Sequence, residues 1–114
     1  MEYNKSTLRM ARLSEAELEL FDLLRKEHLT ADEEKRVKLA AKELYNTLTE
    51  KRSELFVVGW QNDPQSKEKV KGEIVSVLNK FLPDSYDREV FLRKSTLVFE
   101  HIVDQARTGY DWVA

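Results

Sequence analysis

Three helix starts are spelled out in this chain, and they constrain its fold more than any other feature. Ser14 is followed three residues later by Glu17, a capping box in which each side chain can satisfy the other's orphan amide. Thr30 and Glu33 repeat the box, and Asp63-Pro64 supplies a cap followed by proline at the first helical position. Leu13 and Leu18 flank the first box as a hydrophobic staple. At the second box Leu29 is matched by Glu34, so that staple is missing. Starts at this spacing in 114 residues predict an all-α chain of short-linked helices.

Helical periodicity fills in the segments. The first helix is predicted over about 15–27, with Glu15, Glu17 and Glu19 at the positive end of its dipole and Arg25 and Lys26 at the negative end. The second runs to about 53. Val37, Ala41, Leu44, Tyr45 and Leu48 share one face, Lys35, Lys38 and Lys42 form a neighbouring stripe, and Leu39 projects nearly opposite the core. The third carries Val70, Ile74, Val77, Leu78 and Phe81 inward, widened by Val75 and Leu82, and stops at Pro83. The fourth is predicted to follow Asp84 or Ser85 and to end near Thr108, with Gly109 beyond it. Its broad face is Phe91, Leu92, Val98, Phe99, Ile102, Val103 and Ala106. Tyr86, Val90 and Leu97 form a narrower second ridge.

Between the second and third helices, Leu55, Phe56, Val57, Val58 and Trp60 surround Gly59. A lone strand has no partner here, so the segment reads as a buried apolar connector, with continuation of the second helix through Phe56 the other option. The expected architecture is a bundle of about four amphipathic helices with an irregular connector. Residues 1–13 are a linker or lead-in with a small basic excess (Lys5, Arg9, Arg12), and 14–114 are the helical domain.

Composition narrows the chemistry. The absence of cysteine excludes disulfides, thiolate nucleophiles and Cys-containing zinc sites. Gly59, Gly72 and Gly109 are isolated, so no phosphate loop is present. His28 reads as a helix-end residue, and Glu33-Glu34 and Asp84/Asp87 as acids of first helical turns. His101 and Asp104 have a spacing that could place both on one metal, but they lack further ligands and read as a polar strip. No catalytic, cofactor or metal residues are therefore assigned. A net charge of -2 weighs against phosphate gripping as the main task, although Lys67, Lys69 and Lys71, with the Lys35/Lys38/Lys42 stripe, are candidate phosphate contacts. Apolar surface is the stronger signal: Leu39, Trp60, Leu97 and Trp112 are the candidate partner interface. Neither a signal peptide nor a membrane helix is apparent, and a cytoplasmic location is expected.

The order LSEAELELFDLL, LTADEEKRVKLAAKELYNTL, a connector ending in Trp60, KVKGEIVSVLNKFLP and a last long helix resembles the C-terminal helical domain of type I restriction enzyme R (HsdR) subunits. The likeness spans about Leu13 to Trp112. Gly59 stands where the family often has an acidic residue, and Gln61-Asn62-Asp63-Pro64 separates the tryptophan from the next helix. The resemblance implies a non-catalytic domain that attaches the R subunit to the modification methyltransferase subunits. Other domains of the R subunit would cleave DNA and translocate it with ATP. ATP, magnesium and S-adenosylmethionine would belong to the parent complex, and DNA contact by this domain would be secondary.

Overall fold

The computed structural model describes residues 13–108, and all regular structure within them is helical. α1 spans Glu15–Leu24, α2 Ala31–Glu50, α3 the single turn Arg52–Leu55, α4 Pro64–Phe81 and α5 Arg88–Arg107, with a 3-10 turn at Trp60–Asn62 ahead of α4. Residues 1–12 of the expected lead-in, Gly109, and the tail aromatics Tyr110 and Trp112 lie outside the described residues, while Leu13, expected to close that lead-in, packs on the core and belongs with the helices.

The starts form as written. The Ser14 amide donates to Glu17 Oε1 at 2.9 Å, and the Glu17 amide to Ser14 Oγ at 3.2 Å. Thr30 and Glu33 make the same pair of bonds at 2.9 and 3.1 Å. The bond from the Thr30 amide holds the Glu33 carboxyl below its ordinary range, helped by the Ser85 hydroxyl. Asp63 caps α4 by accepting from the Ser66 amide and hydroxyl at 2.9 and 2.7 Å, which lowers its carboxyl likewise. Staple residue Leu13 packs against the core, while Leu18 stays 46% exposed.

Three boundaries differ from the sequence expectation. α1 stops at Leu24, because Arg25 turns extended (φ -66°, ψ 153°), so Arg25 and Lys26 lie beyond its last turn. α2 breaks at Lys51 (φ -101°, ψ 16°), and α3 resumes for one turn only. α5 begins at Arg88, not after Asp84 or Ser85. A turn closes first, with the Tyr86 amide on the Pro83 carbonyl at 3.0 Å, and Asp87 then caps by accepting from the Val90 amide. Tyr86 thus precedes the helix whose ridge it was expected to join, and Asp84 lies outside any helical turn.

The four long helices of the described residues close a ring: α1 packs on α2 and α5, and α4 packs on α2 and α5. Leu20, Phe21 and Leu24 from α1 meet Val37, Leu44 and Leu48 from α2, Val70, Ile74, Val77 and Leu78 from α4, and Val98, Ile102 and Val103 from α5. At about 25 cal/mol per Å² of apolar area removed from water, this shared interior is the main favourable term for the fold. Ser95, the one hydroxyl among the fully buried side chains of the described residues, donates to the Phe91 carbonyl at 2.9 Å.

Charged contacts tie the ring at its rim. Lys51 Nζ donates to Glu73 at 2.9 Å, joining the end of α2 to α4 and raising the ammonium's pKa. Glu19 Oε1 accepts from Gln105 Nε2 at 3.2 Å and lies 3.3 Å from His101 Nε2, joining α1 to α5. His101 is therefore half of an interhelical contact rather than part of a free polar strip.

Candidate functional site

The segment from Leu55 to Asn62 has the least expected geometry. Five apolar residues crowd a link too short for all of them to face inward. The chain resolves this by burying both ends and expelling the middle. Leu55 and Phe56 are buried as α3 finishes, and Trp60 is buried as the 3-10 turn begins. The Phe56 and Trp60 rings lie 5.1 Å apart at 59°, a tilted aromatic pair. Val57 is 45% exposed and Val58 fully exposed. The connector is thus not buried throughout, because the chain reverses between its two aromatic anchors.

Backbone bonds define the reversal. The Trp60 amide donates to the Val57 carbonyl at 2.9 Å. Gly59 takes φ +78°, a left-handed conformation that side chains with a Cβ disfavour. The Asn62 amide then donates to Gly59 and the Asp63 amide to Trp60, at 3.0 and 3.1 Å, which carries the turn into the α4 cap. Val57 and Val58 are consequently held out on a hydrogen-bonded turn whose two flanks are anchored in the core.

The anticipated interface residues fare unevenly. Trp60, only 3% exposed, is a core residue, so its ring has no surface left to offer a partner. Leu39 is half-buried on α2. Leu97 is 39% exposed on α5, beside a shallow depression of about 470 Å³ that also involves Glu100, His101 and Asp104. Trp112 lies outside the described residues. α2 and α5 are diagonal in the ring, so Leu39 and Leu97 do not share one patch. Among the described residues, the exposed large apolar side chains that sequence reasoning missed are Val57, Val58, Leu18 of the expected staple and Leu92, which was expected on the broad inward face of α5. The signal for the first two was available: a β-branched pair directly before a lone glycine, in a connector overloaded with apolar residues. Leu92 rims an open groove of about 480 Å³ between α4 and α5, floored by Leu78, Leu82 and Tyr86.

The basic stripes are partly committed within the domain. Lys38 pairs with Glu34 at 3.4 Å and lies 5.8 Å from the centre of the Phe21 ring. Lys42 is 3.5 Å from Glu17, and Lys71 sits 5.8 Å from the Phe99 ring centre. Lys35 and Lys69 are exposed, Lys67 is half-buried, and none of the three forms an ion pair among the described residues. His28, beyond the end of α1, is exposed and 3.7 Å from Glu27. It is too far along the chain to serve the α1 dipole as expected. Among the described residues no group of three or more His, Asp or Glu side chains is gathered to hold a metal, and no helix is long and apolar enough to cross a membrane. No family model, curated protein or solved structure matches this chain.

Proposed function

We propose that this chain is a non-catalytic assembly domain, docking a larger enzyme onto its partner through apolar side chains. The observation that carries the reading is the Val57–Val58 turn. A fully exposed valine, raised on a hydrogen-bonded reversal and braced by Phe56 and Trp60, is an apolar knob with its backbone already ordered. Such an element loses little conformational entropy on binding, which is the condition under which a small contact contributes most. The order of sequence motifs from about Leu13 to Trp112 supports the choice of partner. By its resemblance to the R-subunit domain, the chain attaches a type I restriction R subunit to the methyltransferase core, while other domains translocate and cut DNA.

The test uses the intact R subunit and the methyltransferase core. Val58→Asp should weaken association at least tenfold with the domain's melting temperature unchanged, as calorimetry would show. Unaltered affinity would remove the turn from the interface. Intact assembly after deletion of the whole domain would overturn the docking role itself.

A second reading, contact with nucleic acid, rests on Lys67 and Lys69, which make no ion pair among the described residues. It requires duplex binding that falls steeply with salt and weakens when these lysines and Lys71 are neutralised. A flat duplex titration at low salt would dismiss it.

A further inference from the structure

We draw no further inference here: the strongest candidate, the open groove between α4 and α5 rimmed by Leu92 and Arg88, is an unpartnered apolar face, and nothing in the structure shows what covers it.

Discussion

Two of the irregular links between the helices, those on either side of α4, are held by different physics. The connector from Phe56 to Asn62 is anchored by burial: two aromatic rings enter the core and the hydrogen-bonded backbone between them bulges outward. The link from Leu82 to Asp87 is anchored by polar bonds as well. Tyr86 is buried, yet its hydroxyl donates to the Leu24 carbonyl at 2.7 Å, and Lys26 reaches back to the Ser85 carbonyl at 2.9 Å while lying 5.0 Å from the Tyr86 ring centre. The first link is fixed to the rest of the bundle by apolar burial, its hydrogen bonds being local to the turn, and leaves apolar surface on show. The second closes the end of another helix and positions α5 against α1. An anchor made of rings tolerates small shifts, whereas an anchor made of a hydroxyl and a carbonyl does not.

The contrast can be broken most forcefully at Trp60. Trp60→Ala should cost about 3–5 kcal/mol, as for other large-to-small changes in cores, measured by urea denaturation. A cost below 1 kcal/mol would mean that the ring is not an anchor. Tyr86→Phe keeps the ring and removes only the bond to Leu24, so it should cost about 1–3 kcal/mol. A Trp60→Phe variant should lose less than Trp60→Ala, because the connector asks only for apolar volume there.

Alkaline pH separates the two links further. Burial, with a smaller contribution from Glu33, pushes the Tyr86 hydroxyl up to about 12 from an ordinary value of 10. A group whose folded pKa is raised contributes stability below its unfolded pKa and loses it as pH climbs through the folded one. Stability should therefore decline between about pH 10 and 12, and Tyr86→Phe should flatten that decline in melting curves taken across the range. The Trp60 variants should leave the slope unchanged.

Smaller effects come from the two described glycines. Gly59→Ala meets no steric neighbour but must hold φ +78°, so about 1 kcal/mol should be lost. Gly72 is exposed within α4, with equally open space around it, and Gly72→Ala should gain about 0.5–1 kcal/mol from helix propensity. Opposite signs for the same substitution, read in one set of denaturation curves, would confirm that backbone conformation and not crowding separates them.

Much of the fold was legible because its signals are local. Ser14/Glu17, Thr30/Glu33 and Asp63-Pro64 act over three residues, and the inward stripe of α4 follows from spacing alone. The start of α5 was misplaced because Asp84, Ser85 and Asp87 are all competent caps. The Pro83–Tyr86 turn decides among them. The candidate site was less legible. Tryptophan marks an interface or a core equally well by sequence, and only packing reveals that Trp60 belongs to the core while Val58 does not.

Helix starts and helix stops divide the same way. The sequence by itself determined the all-helical class, the starts of α1, α2 and α4, and most of the buried faces, because capping and amphipathicity involve residues one turn apart. Only the tertiary structure decided where α1 ends and how the last carbonyls of α1 and α4 are satisfied. Tyr86 and Lys94 donate to the Leu24 and Arg25 carbonyls at 2.7 Å each, and Arg36 donates to the Phe81 carbonyl at 2.8 Å. These donors stand 62, 69 and 45 residues from their acceptors. An orphan carbonyl accepts whichever donor the packed bundle brings near, and that choice exists only once the helices have met.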